Sequence, residues 1–121
     1  MARILIVDDD AHQRCLYREE FQDAGYDVFE AADGREAIAA VPAVRPDAVV
    51  LDIGMPRFDG LDALARIHEL DPRLPVVINS AHADYRNRFI CWLADAYVTK
   101  SSRLDDLHTA VRDVLASRGV A

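Results

Sequence analysis

The sequence predicts an α/β domain, a single doubly wound (βα)5 unit whose five-stranded parallel sheet carries helices on both faces. Three observations predict it. Five short apolar runs alternate strictly with five amphipathic segments along the 121 residues. The runs are continuous in Val, Ile, Leu and Ala rather than alternating with polar residues, as in strands buried on both sides. Charged or hydroxyl residues stand directly after four of these runs, the first, third, fourth and fifth, where open α/β sheets keep their sites.

The strands read as Arg3–Val7, Asp27–Ala31, Ala48–Leu51, 75–79 and Ala96–Thr99. The first helix spans 11–24, with Tyr17, Phe21 and Ala24 on one face and Gly25 as its C-terminal stop. Asp33 and Glu36 make a capping-box-like start to the second helix, and Pro42 is expected to shorten or kink it. The third helix, 59–70, turns Leu61, Leu64 and Ile67 inward and stops before Pro72. A short fourth helix covers 84–93. Leu104, Leu107, Val111, Val114 and Leu115 define the fifth. Strict alternation requires right-handed crossovers.

Composition narrows the function. With 51% hydrophobic and 29% charged residues the chain has enough apolar side chains for one core and does not read as disordered. A net charge of −7 leaves no broad basic surface, so neither nucleic acid nor an anionic membrane is an expected partner. The first apolar run, ended by Asp8, is too short for a signal or spanning segment. Cys15 and Cys91 form no CxxC pair, which fits a cytoplasmic location. The tail from Ser117 reads as a frayed end, and no second or output domain is expected within residues 1–121.

The chemistry concentrates at strand ends. Asp8, Asp9 and Asp10 follow the first strand; one aspartate suffices to cap the helix behind them, and three exceed that need. Asp52 ends the third strand, expected beside the first. Carboxylates about 4 Å apart at an effective dielectric of ~20 repel by roughly 4 kcal/mol. A cation bound through oxygen relieves that repulsion, and Mg²⁺ fits best, with Mn²⁺ as a substitute. No Cys/His cluster favours zinc. Ser80 and Lys100 end the fourth and fifth strands. A serine there is ordinarily a turn former and a lysine ordinarily solvated, but carboxylates, a metal, a hydroxyl and an ammonium on one edge suit phosphoryl transfer.

Four motifs then acquire a common meaning: Ile4-Leu-Ile-Val-Asp-Asp-Asp10, Asp52-Ile-Gly-Met-Pro-Arg-Phe-Asp-Gly60, Pro75-Val-Val-Ile-Asn-Ser-Ala81 and Asp95-Ala-Tyr-Val-Thr-Lys100. In this order and spacing the chain resembles the receiver domain of two-component response regulators, from Ile4 to about Leu115. The resemblance implies a flavodoxin-like fold and a set of roles. Asp52 would accept a phosphoryl group from a sensor histidine kinase or a phosphotransfer protein. Asp9, Asp52 and the Gly54 carbonyl would ligate Mg²⁺, and Asp8 would act through a metal-bound water. Lys100 and Ser80 would contact the phosphoryl group. Tyr97 would change rotamer as Ser80 moves. Gly54 and His82 would border the attacking water and tune the acyl-phosphate lifetime. The face of the fourth helix, fifth strand and fifth helix would be read by a downstream protein. Self-phosphorylation from phosphodonors and slow autodephosphorylation are implied, without turnover of an external substrate.

The chain departs from the family at its output side. Lys100-Ser101 replaces the usual Lys-Pro, and a cis bond before Ser101 would cost roughly 3 kcal/mol. Leu93 stands where a glycine is usual, and the interval from Ser80 to Lys100 is roughly two residues short. Tyr85, Phe89 and Trp92 form a stripe on the predicted fourth helix that reads as core or, in part, as a docking patch. Two other classes fit less well. A haloacid-dehalogenase-like phosphatase needs a second acid where Gly54 stands, and a flavodoxin-like cofactor carrier needs a phosphate-cradling loop where Asp8-Asp9-Asp10 would repel it. A pseudo-receiver, acting as a phosphorylation-independent interaction module, is the alternative.

Overall fold

Five parallel strands form one sheet in the order β2-β1-β3-β4-β5. A computed structural model describes residues 1–53, 60–81, 93–100 and 104–119. Along the chain these give β1 (Arg3–Val7), α1 (Ala11–Asp23), β2 (Asp27–Ala31), α2 (Gly34–Val44), β3 (Ala48–Leu51), α3 (Gly60–Leu70), β4 (Val76–Ser80), β5 (Ala96–Thr99) and α4 (Asp105–Ser117). The α4 defined here is the fifth helix expected from sequence. The predicted helix over 84–93 lies, except for Leu93, outside the described residues, as do Gly54, His82 and Ser101. No helix among the described residues is long and apolar enough to cross a membrane.

The sheet divides the core in two. Leu5, Val7, Val49, Leu51, Val76 and Ile78 pack against α2 and α3. Ile4, Ile6, Ala48, Val50 and Val77 pack against α1 and α4. Successive residues point to opposite faces, so continuous apolar runs are what a sheet covered on both sides demands.

Local signals set most boundaries. Asp10 caps α1, accepting from the N–H groups of His12 and Gln13. The helix ends in a Schellman turn: Gly25 at φ 97 lets Gly25 N donate to Gln22 O (3.0 Å) and Tyr26 N to Phe21 O (3.0 Å), and the Phe21 and Tyr26 rings pack 5.8 Å apart. Ala24 therefore sits at the helix end and is exposed, outside the buried stripe of Tyr17 and Phe21. At α2, Asp33 accepts from Glu36 N (2.8 Å), while the Glu36 carboxylate accepts from Ala32 N (3.2 Å). Pro42 does not end α2, which continues to Val44; the proline lies exposed in the last turn, where it forfeits one backbone bond. β4 runs Val76–Ser80, one residue later than the sequence suggests, because Pro75 has no N–H to offer the ladder and Ser80 still pairs with Thr99.

Two aspartates fasten the opposite edge of the sheet. Asp47 precedes β3 and accepts from Arg3 N at 2.7 Å; Asp95 precedes β5 and accepts from Val76 N at 3.0 Å. Each satisfies an amide at the start of the neighbouring strand.

Gly60, the first residue of α3, lies against the backbone that leaves β3. A Cβ there would overlap Ile53 Cα and come within 2.9 Å of Asp52 O. Helix propensity alone favours alanine over glycine by about 1 kcal/mol. Gly60→Ala should instead destabilise the fold by about 3 kcal/mol, the upper end of overpacking costs. A chemical denaturation midpoint at or above that of the wild type would contradict this close approach.

Candidate functional site

The ladder continues one residue past the strands, which fixes where three charged side chains start. Asp8 N donates to Ala31 O (3.1 Å), Asp52 N to Val7 O (2.9 Å) and Lys100 N to Ser80 O (2.7 Å). Asp8, Asp52 and Lys100 are thus anchored by sheet hydrogen bonds at the carboxyl ends of β1, β3 and β5. Their side chains meet: Lys100 Nζ donates to Asp8 Oδ2 at 2.8 Å and to Asp52 Oδ2 at 3.1 Å. Asp8 is 2% exposed and Asp52 8%. Asp9 is exposed, yet its carboxylate lies with those of Asp8 and Asp52 in a cluster whose ligand atoms fall within 4.8 Å of one another.

The three-aspartate run divides its work. Asp10 alone is the helix cap. Asp8 faces inward, its Oδ1 accepting from Asp10 N at 2.9 Å, which closes a tight turn. Arg14, one turn into α1, donates to the Asp8 carbonyl at 2.7 Å and pairs through Nε with Glu30 of β2 at 3.4 Å. The carbonyl and the carboxylate of Asp8 are therefore held from opposite sides. Asp9 is left to face solvent.

Electrostatics explain why these groups tolerate burial. Desolvation works to lower the pKa of Lys100, but its hydrogen bond to Asp8 and the charges of Asp52 and Asp8 outweigh it and raise the pKa above the ordinary 10.5. The repulsion expected between Asp8 and Asp52 is thus relieved by an ammonium within the fold, before any metal is considered. Three carboxylates and one ammonium leave a formal charge of −2. A divalent cation would balance that charge, and the donors are all carboxylate oxygens, the ligands that Mg²⁺ and Mn²⁺ take.

Ser80 and Tyr97 occupy the other face. Ser80 is fully buried at the end of β4, and Tyr97 packs half-buried against the α2–α3 core. Ile78 pairs with Tyr97 and Ser80 with Thr99, so Ser80 and Tyr97 are diagonal neighbours. Of the residues singled out from sequence, Asp8, Asp9, Asp52 and Lys100 come together and Ser80 stands on the same edge. Gly54 and His82 fall outside the described residues. Sequence reasoning missed Arg14, Gly60 and Asn79, and it read Tyr17 only as part of the inward face of the first helix. An asparagine closing the aliphatic run Val76-Val77-Ile78 was the available signal.

The raised pKa has a stability consequence. The protonated form of Lys100 is favoured in the folded state, so its contribution is complete below pH 10.5 and is lost as pH rises through the higher folded value. Lys100→Met should cost about 3 kcal/mol at pH 7, because it strands two buried carboxylates. That deficit should shrink above pH 10.5. Urea denaturation at pH 7 and pH 11 measures it; equal stability of the two proteins at pH 7 would contradict the ion pair.

Comparison with known proteins agrees with this geometry. The family model of the response regulator receiver domain matches residues 4–112. The response regulator MprA of Mycolicibacterium vanbaalenii is 39% identical over 116 residues, covering 93% of this chain and 50% of that protein. The chemotaxis protein CheY of Thermotoga maritima is 41% identical over 80 residues, 65% of this chain and 67% of that protein. This chain spans about half the length of MprA and of PrrA, the transcriptional regulatory protein of several Mycobacterium species that it also matches. Among solved structures, the response regulator TrrA of Thermotoga maritima in complex with Mg²⁺-BeF superposes with a TM-score of 0.91 at 36% identity, covering 95% of this chain and all of that one. TrrA in complex with the histidine kinase ThkA gives 0.88 at 36% identity, over 95% and 99% of the two chains. The chain belongs to the response regulator receiver domain family, a signalling domain rather than an enzyme that turns over substrate.

Proposed function

We propose that this domain is a Mg²⁺-dependent phosphoacceptor switch with Asp52 as the acceptor. The observation that carries the reading is the joining of Asp8, Asp9, Asp52 and Lys100 at the carboxyl edge of the sheet. Two properties of relatives support it: TrrA has been solved with Mg²⁺-BeF, and also bound to a histidine kinase.

An Asp52 carboxylate oxygen attacks the phosphorus of a phosphohistidine on a sensor kinase or phosphotransfer protein. The new P–O bond forms as the P–N bond breaks, and the imidazole leaves with the electron pair and takes up a proton. Lys100 moves from bridging two carboxylates to pairing with a phosphoryl oxygen. Asp9, Asp52 and the Gly54 carbonyl would hold Mg²⁺, or Mn²⁺ in its place, and Asp8 would act through a metal-bound water. The bound metal would offset charge gathering on the phosphoryl oxygens. Ser80 donates a hydrogen bond to the phosphoryl group, and its movement frees space that Tyr97 fills. This coupling alters the surface of the 84–93 segment, β5 and α4, which a downstream protein reads. Gly54 and His82 tune hydrolysis of the acyl phosphate, so the domain dephosphorylates itself slowly. The reading places the protein in the cytoplasm, with protein partners rather than nucleic acid or membrane.

Incubation with a small phosphodonor and Mg²⁺ tests the reading. Wild-type protein should acquire one base-labile phosphate, Asp52→Asn should acquire none, and chelation should suppress uptake at least about a hundredfold, the scale on which charge-stabilising groups act. A wild-type protein that takes up no phosphate would point to a phosphorylation-independent interaction module.

A further inference from the structure

Asn79 ends the aliphatic run Val76-Val77-Ile78 within β4, and its position gives that break a purpose. Strand alternation places it with Val77 on the face covered by α1 and α4. Continuing the β3–β4 register one residue past Leu51 and Ile78 sets Asn79 beside Asp52. The β1–β3 register, continued past Val7 and Leu51, sets Asp8 on the other side of Asp52. Asp8, Asp52 and Asn79 therefore form one row across the sheet, and Asn79 is nearer to Asp52 in register than Ser80 is.

Tyr17 of α1 lies beneath this row. It is 4% exposed and Asn79 is 3% exposed. The Tyr17 hydroxyl donates to Gln13 Oε1 at 2.8 Å, and the polar side chain of Asn79 lies close enough to act on that hydroxyl. Burial raises the pKa of Tyr17, the nearby Asn79 side chain opposes this, and Lys100, Asp8 and Asp52 all act on the hydroxyl electrostatically. Gln13 in turn donates its N–H to Asp10 Oδ1 at 3.3 Å, within the cap that follows Asp8 and Asp9. Gln13 thus ties Tyr17 to the first turn of α1 behind the acidic loop, and Tyr17 and Asn79 form a buried polar pair beneath Asp52.

An aliphatic residue at 79 and a phenylalanine at 17 would fill the same space without a buried amide and hydroxyl to satisfy. We propose that Tyr17 and Asn79 are positioning residues for phosphorylation of Asp52: this buried polar pair holds β4, beside the acceptor carboxylate, against the helix that follows the loop carrying Asp8 and Asp9. The proposal rests on Asp52 being the phosphoacceptor. It is separate from the Ser80 and Tyr97 coupling, which lies on the opposite face.

The test uses Asn79→Leu and Tyr17→Phe, with acetyl phosphate as phosphodonor and saturating Mg²⁺. Both variants should remain folded but unfold below the wild-type temperature, because each leaves a buried polar partner unsatisfied. The initial rate of Asp52 phosphorylation should fall about tenfold in each, within the range that misplacement of a reacting group produces. The double variant should be no slower than the worse single one, because the two residues act as a unit. A purely structural pair would change the unfolding temperature and leave the rate at saturating Mg²⁺ untouched. A wild-type rate in folded Tyr17→Phe, which retains the ring, overturns the proposal even if Asn79→Leu folds poorly. A wild-type protein that is not phosphorylated overturns the reading of Asp52 itself.

Discussion

The ammonium of Lys100 between the carboxylates of Asp8 and Asp52 is the interaction on which the rest of the structure depends. Two nearly buried carboxylates on neighbouring strands are tolerable only with an opposite charge between them. That charge has to come from β5, two strands away from β3 in the sheet order. The arrangement therefore requires the 2-1-3-4-5 order, the continuation of the ladder to Asp8, Asp52 and Lys100, and the exit of β3 and β5 at the same edge. The fold is what lets one lysine reach both acids.

In the proposed function, the same interaction is what makes the site responsive. A lysine shared by two carboxylates can be redirected to a third anion with modest rearrangement. What it leaves behind is a cluster whose negative charge a divalent cation can balance. Asp9, the exposed member, is the acid with no burial to defend, and it can engage a cation without disturbing the core. The apolar layers beneath give this edge a rigid base: Val7 and Leu51 on one face, Ile6 and Val50 on the other. Gly60 adds a steric stop behind Asp52.

Much of this was legible in the sequence because it rests on strong, local signals. Continuous aliphatic runs announced a sheet covered on both faces, and the polar residues at their ends announced the edge that carries the chemistry. Asp8, Asp9, Asp52 and Lys100 stood out because a charge directly after a buried strand is costly without a purpose. Other features depend on contacts that no residue type announces. Arg14 acts on a backbone carbonyl and Gly60 on backbone sterics, so neither follows from composition. Asn79 at a strand end resembles a turn residue until register puts it beside Asp52. Ala24 fits the helical period of Tyr17 and Phe21, but the Schellman turn ends α1 before that period can use it. The sharing of Lys100 was also hidden: sequence suggested a cation to relieve the acids, and the fold supplies an ammonium first.

The central claim is that these carboxylates form a binding site for a divalent cation and not merely a paired cluster. A Mg²⁺ titration followed by thermal unfolding tests it most directly. The account predicts stabilisation that grows with the logarithm of Mg²⁺ concentration in the millimolar range, reaching about 2.7 kcal/mol at a hundredfold excess over Kd. It also predicts that Asp9→Asn, which leaves the Lys100 ion pairs in place, abolishes that stabilisation. An unfolding temperature indifferent to millimolar Mg²⁺, or an equal shift in Asp9→Asn, would contradict it.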